Sequence, residues 1–147
     1  MIRTAVVGVG NCASSLVQAI HYCRSNTKDI IGLPFPVLGG YEPSDIAIVA
    51  AFDIDQRKVG RDLKEAIFAS PNCTQVFWPD VPVSGVMVSR GPDLDGLTAF
   101  MRNQAPHRSF VPSAAKELTS AEVTSILRES KTEVLINFLP VGSQDAT

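Results

Sequence analysis

Gly8-Val9-Gly10-Asn11-Cys12-Ala13 has the spacing G-x-G-x-x-G/A, and it follows a strand-like run, Thr4–Val7, and precedes a helical one. Each residue type has a use in holding a diphosphate. Gly8 permits the tight turn, Gly10 lets the main chain come close to phosphate oxygens, and Ala13 keeps the helix near the sheet. Free amides at the helix start, reinforced by the helix dipole, face the negative charge. Cys12 and Asn11 lie at that start, Cys12 as a small neighbour of the diphosphate rather than a nucleophile.

A second element is Asp53, at the end of the apolar run Ile46–Phe52. An acid at that place accepts hydrogen bonds from ribose hydroxyls and repels a 2′-phosphate, which favours NAD over NADP. Its distance from the glycines exceeds the usual ~20 residues because a Pro- and Gly-rich stretch, Arg24–Ser44, intervenes. Asp62, on the helix expected next, is a further candidate for the adenosine end. The third element is the turn Asn137-Phe138-Leu139-Pro140-Val141-Gly142-Ser143. In the strand order 3-2-1-4 it borders the crevice where such folds bind ligands, with Asn137, Leu139, Pro140, Val141 and Ser143 as candidates. Each of these features also has a plain structural use: a packing turn, a strand-end acid, a capping serine.

The elements that must position these residues alternate. Ala13, Leu16, Val17 and Ile20 predict a helix from about Asn11 to Tyr22. Ile46–Phe52 is a strand covered on both faces, and Asp55 is the expected N-cap of a helix showing Val59, Leu63, Ala66 and Ile67 on one side. Val86-Met87-Val88 predicts a third strand, Asp95–Asn103 a helix and Val134–Phe138 a fourth strand. Thr119-Ser120-Ala121-Glu122 has capping-box spacing ahead of Val123, Ile126 and Leu127. Strand–helix alternation gives an α/β class: a Rossmann-like, doubly wound, mainly parallel sheet in one domain over 1–147. The last residues, Gln144–Thr147, fall where a further helix is expected, so the sheet is read as incomplete at its C-terminal side, with an open edge on the fourth strand and a chain of marginal stability.

Composition removes several function classes. The chain has 147 residues, 45% hydrophobic and 19% charged, with net charge -2, so neither disorder nor nucleic-acid binding is expected. Ile46–Phe52, the longest apolar run, is far short of the ~20 residues that span a bilayer, and Met1–Thr4 has no signal-peptide layout. Three cysteines, two histidines and no Cys-x-x-Cys support neither a disulfide framework nor a metal site, and a reducing, cytoplasmic location is expected. The lysines, Lys58 among them, are read as lying in loops or on polar helix faces.

Val6–Gln18, Val49–Asp55, Lys58-Val59-Gly60, Ala66-Ile67-Phe68, Arg90-Gly91-Pro92 with Leu94-Asp95-Gly96, and Leu139–Ser143 occur in one order across nearly the whole chain. Together they resemble the bacterial and archaeal type of myo-inositol-1-phosphate synthase, in which a long loop also follows the first helix. The resemblance implies an NAD-dependent isomerase converting D-glucose 6-phosphate to 1D-myo-inositol 3-phosphate. That reaction runs by oxidation at C5, intramolecular aldol closure of C6 onto the C1 aldehyde, and reduction at C5. It further implies that Gly8 to Ala13 cradle the diphosphate, Asp53 holds the ribose and Leu139 to Ser143 border the nicotinamide. Asp93 and Phe138 stand where that family more often has an uncharged residue and Tyr. Its members are much longer, and they are implied to carry the substrate-binding lysines, the acid–base groups and the homo-oligomer contacts in the part beyond this chain. No catalytic residue is therefore assigned here, sugar phosphate is a partner only together with that part, and cyclisation by this chain alone is not expected. The alternative reading is a stand-alone module that binds or senses NAD without chemistry.

Overall fold

A computed structural model describes residues 1–26, 30, 32–140, 143 and 145. Among these residues four strands, β1 (Ile2–Val7), β2 (Ile46–Asp53), β3 (Val88–Arg90) and β4 (Val134–Asn137), form one sheet in the order β3-β2-β1-β4. Every pairing is parallel. A parallel pair requires the chain to cross back over the sheet, and the crossovers cover both faces.

On one face α1 (Asn11–Ser25) and the short α2 (Leu63–Ala66) pack on the sheet. Val6, Ala51 and Val88 of the strands meet Val9, Val17, Leu63, Ala66, Ile67 and Val81 there. On the other face Ala5, Ala50 and Phe52 meet Val123, Ile126 and Leu127 of α4 (Ser120–Glu129). Neighbouring residues along β1 thus serve opposite layers, as strand geometry demands. This is the doubly wound Rossmann-like arrangement, and the order of strands puts β4 beside β1. β4 is an outer strand with Val134 and Leu135 each 42% exposed.

Two elements agree closely with their sequence signals. α1 begins at Asn11 and runs three residues beyond Tyr22, to Ser25. α4 starts with the capping box: Thr119 Oγ1 accepts from the Glu122 amide, while the Glu122 carboxylate accepts from the Thr119 amide. Its carboxyl is held down to about 2 by the Lys116 ammonium and the Thr119 amide and hydroxyl.

Elsewhere the local signals misplace elements. No helix starts at Asp55; the carbonyl of Asp55 accepts from Lys58 and Val59, one turn forms, and Gly60 leaves it with φ +77. The amide of Gly60 then donates to the carbonyl of Val88, so the chain joins β3 instead of propagating a helix. The helix that does form is Leu63–Ala66, capped by Asp62. The third strand is Val88–Arg90 rather than Val86–Val88, because Met87 makes a bridge with Asp62. The helix expected over Asp95–Asn103 shrinks to α3 (Ala99–Arg102), capped by Thr98.

Candidate functional site

β1 ends at Val7 and the chain turns on Gly8, whose φ is +89 and whose amide donates to the Phe52 carbonyl at 2.9 Å. A Cβ there would lie 3.2 Å from the main-chain carbon and oxygen of Phe138 and 3.4 Å from Leu139 Cδ2. Gly8 is therefore required twice, by its backbone angle and by the close passage of the β4 end. Leu139 is brought against the first glycine by this contact, and its amide donates to Asn137 Oδ1 at 2.8 Å.

Gly10 differs. It is the N-cap of α1 with φ -90 and ψ -158, and a Cβ on it would meet nothing within 4 Å. Open space lies where a side chain would stand. Ser14 is the first residue of α1 whose amide is taken up, by the Gly10 carbonyl at 2.9 Å. Among the described residues, the amides of Gly10, Asn11, Cys12 and Ala13 meet no acceptor within the chain. Such orphan donors at a helix start, beside an open space, suit an anion.

Beneath this turn lies a buried polar cluster. Asp53, at the end of β2, accepts from the Val9 amide (2.8 Å) on Oδ2 and from the amides of Ile54 (2.7 Å) and Asp55 (2.8 Å) on Oδ1. The carboxylate thus ties the end of β2 to the glycine turn, with acceptor capacity left on Oδ2. Lys58 is fully buried, the opposite of the polar-face position expected for it. Its Nζ donates to the Val9 carbonyl (2.7 Å) and to Asn72 Oδ1 (2.9 Å), and lies 3.8 Å from Asp53 Oδ2. Burial pushes the Lys58 ammonium below the usual lysine value, while Asp53 and Asp55 pull it back up. The Asn72 side-chain amide also donates to the Val9 carbonyl (3.1 Å) and to that of Ile67 (2.9 Å).

A further part of the site carried no sequence signal. The segment after Asn72 is fastened along α1 by polar side chains. Asn11 Oδ1 accepts from the amides of Cys73 (2.8 Å) and Thr74 (3.0 Å), and Thr74 Oγ1 donates to the Asn11 carbonyl (3.1 Å). Gln18, wholly buried, accepts from the amides of Phe77 and Trp78. Cys73 and Thr74 consequently flank the start of α1.

Ala13 is buried and Cys12 is exposed. Pro140 accepts from the Ser143 amide (3.1 Å), and Ser143 is buried. Val141 lies outside the described residues, as does Gly142. Asp62 stands apart from Asp53's cluster: as the cap of α2 it already accepts from the amides of Lys64, Ser84 and Gly85 and from the Ser84 hydroxyl. Those bonds outweigh its burial and hold its carboxyl below the usual range.

Asp55, next to the cluster, is buried and paired with the Arg57 guanidinium. Burial raises its carboxyl, but the bonds from Arg57 and from the Val111 amide prevail and the net shift is downward. A lowered carboxyl adds stability above the unfolded value, about 3.9, and loses it as pH falls through the still lower folded value. Asp55→Asn is thus expected to cost on the order of 2–3 kcal/mol near neutral pH, from bonds to a charged partner, and distinctly less near pH 3. Urea melts of both proteins across that range check it; a gap that does not narrow in acid contradicts it.

A four-stranded parallel sheet with a glycine turn between β1 and α1, an acid ending β2 and a turn after β4 beside them defines an α/β protein of the Rossmann-like class. No family model matches the chain. It is 44% identical over 147 residues to the inositol-3-phosphate synthase of Mycolicibacterium smegmatis, which covers 99% of this chain and 38% of that protein. The solved structure described as Ari2 is 34% identical with a TM-score of 0.75, covering 99% of this chain and 39% of that one. A myo-inositol-1-phosphate synthase-related protein from Thermotoga maritima, 22% identical, shares the fold with a TM-score of 0.60, over 95% of this chain and 34% of its own. The chain is a homologue of the inositol-3-phosphate synthases across nearly its whole length, and it spans about 38% of the length of the relatives it matches.

Proposed function

We propose that this chain is the NAD-binding part of an enzyme that converts D-glucose 6-phosphate to 1D-myo-inositol 3-phosphate. The observation that carries the reading is the open space over Gly10 at the start of α1, where the first amides of the helix have no acceptor among the described residues. These groups fit a dinucleotide. Gly10, Asn11, Cys12 and Ala13 offer main-chain N–H groups to its diphosphate, and Gly8 and Val9 shape the turn that presents them. The spare acceptor capacity of Asp53 Oδ2 serves the adenosine ribose. Leu139, Pro140 and Ser143, together with Asn137 and Val141, border the nicotinamide end. When bound there, the dinucleotide supplies a hydride acceptor that can return the hydride to the same substrate.

The acid–base groups, the sugar-phosphate contacts and the subunit interface of the reaction are proposed to lie in the remainder of the longer architecture. No helix among the described residues is long and apolar enough to cross a membrane. A cytoplasmic location is part of the same proposal.

Calorimetric titration of the chain with NAD and, separately, NADP tests the reading. NAD is expected to bind, and NADP at least about tenfold more weakly, since a 2′-phosphate would approach the Asp53 carboxylate. Absence of heat with either dinucleotide overturns it. Equal affinities overturn the part assigned to Asp53.

A further inference from the structure

Both peptide groups that flank Val9 are held from below by side chains. The Val9 N–H is fixed by Asp53, and the Val9 carbonyl by the Lys58 ammonium and the Asn72 amide. The peptide from Val9 to Gly10 is trans. In a planar trans peptide the N–H points opposite to the C=O. A Val9 carbonyl drawn inward onto Lys58 therefore turns the Gly10 N–H outward, toward the open space over the start of α1.

We propose that Lys58, assisted by Asn72, is a positioning residue for the diphosphate of the dinucleotide, through its hold on the Val9 carbonyl. The inference rests on the dinucleotide reading above. Lys58 cannot touch the ligand itself, because its side chain is wholly enclosed. Its second effect is electrostatic. The Asp53 carboxylate sits beneath a turn meant for an anion, and the ammonium 3.8 Å away offsets that charge. An apolar side chain of similar length at position 58 would keep the volume and lose both effects. The Val9 carbonyl would then be held by the Asn72 amide alone, at 3.1 Å, and the Gly10 N–H with it would be fixed less firmly.

The test compares the native chain with Lys58→Met. Binding of NAD, ADP and adenosine is measured by titration, and amide hydrogen exchange is followed at Val9 and at Ala5 and Val6 of β1. NAD and ADP are expected to weaken at least about tenfold, with adenosine, which carries no diphosphate, changed less than about twofold. Exchange at Val9 is expected to quicken about tenfold while the β1 amides keep their protection. Equal losses for all three ligands, or loss of protection in β1 as well, would show a merely structural lysine and overturn the proposal. So would NAD binding and Val9 exchange that match the native chain. If Lys58→Met does not fold, Asn72→Ala is expected to show the same diphosphate-selective loss, about threefold, and an unselective loss overturns the proposal. A native chain that binds neither NAD nor ADP removes the dinucleotide reading and the clamp with it. That outcome is distinct from normal native binding with an unaffected variant.

Discussion

Replacing Asp53 by alanine is expected to lower stability by on the order of 3–5 kcal/mol and to abolish NAD binding. The carboxylate receives three main-chain N–H groups, from Val9, Ile54 and Asp55, in a place that is only 7% exposed. Alanine leaves all three donors without their acceptor. It also leaves the enclosed Lys58 ammonium without the carboxylate 3.8 Å away, and an uncompensated buried charge is costlier than a lost neutral hydrogen bond. Since a domain of this kind is stable by roughly 5–15 kcal/mol, much of the margin is at stake. Urea denaturation of the native and variant chains measures the loss. Asp53→Asn keeps the shape but presents an NH2 group to one of the two donor sets, so it is expected to lie between them. A midpoint for the alanine variant within error of native contradicts the account, because it would mean that water satisfies the same donors at no cost.

The parts of this site that could be read in the sequence are those whose partners are close along the chain. The strand–glycine–helix run of residues 2–25 is contiguous, and the capping box of Thr119 and Glu122 spans one turn. Asp53 was legible because it ends an unbroken apolar strand. Lys58 was not, since its acceptors are remote: the Val9 carbonyl lies 49 positions away and Asn72 lies 14 away. A lysine following Asp55 in a region patterned for a helix reads as a solvated face. In the structure Gly60, with φ +77, ends the helix after one turn, and Lys58 lies enclosed on its remote acceptors.

The same reason hides the strip from Asn72 to Trp78. It has no hydrophobic period, because its order comes from Asn11 and Gln18 on α1, at separations of 59 to 63 residues. Asn11, picked out for its main-chain amide, is shown to act through its side chain as well. Its main-chain amide has no acceptor among the described residues, while its side chain fastens Cys73 and Thr74. Asp62 shows the converse. Its type and its place after β2 suit a ribose contact, yet the turn at Ser84 and Gly85 engages both its oxygens.

The two glycines of the turn are expected to separate stability from binding. Gly8→Ala must hold a Cβ at φ +89, 3.2 Å from main-chain atoms of Phe138 that cannot swing aside as a side chain could. The unfavourable angle costs roughly 1–2 kcal/mol and the overpacking about as much again, so a loss near 2–4 kcal/mol is expected. Relief of the contact requires β4 to move from β1, which also shifts Leu139 and the turn beyond it. Gly10→Ala meets neither obstacle: its φ is -90 and no atom lies within 4 Å of the new Cβ. Alanine is a poorer N-cap than glycine, so the variant's stability is expected to fall by only about 0.5–1 kcal/mol. The methyl group, however, fills the space proposed for the diphosphate, and NAD affinity is expected to fall by about two orders of magnitude through lost close approach of the amides. Thermal or urea melts and NAD titrations on the two variants make a crossed comparison. Were Gly10→Ala to bind NAD as tightly as native, the space over the helix start could not be where the diphosphate lies. Were Gly8→Ala as stable as native, the contact between the glycine turn and the end of β4 would not be the constraint on that position.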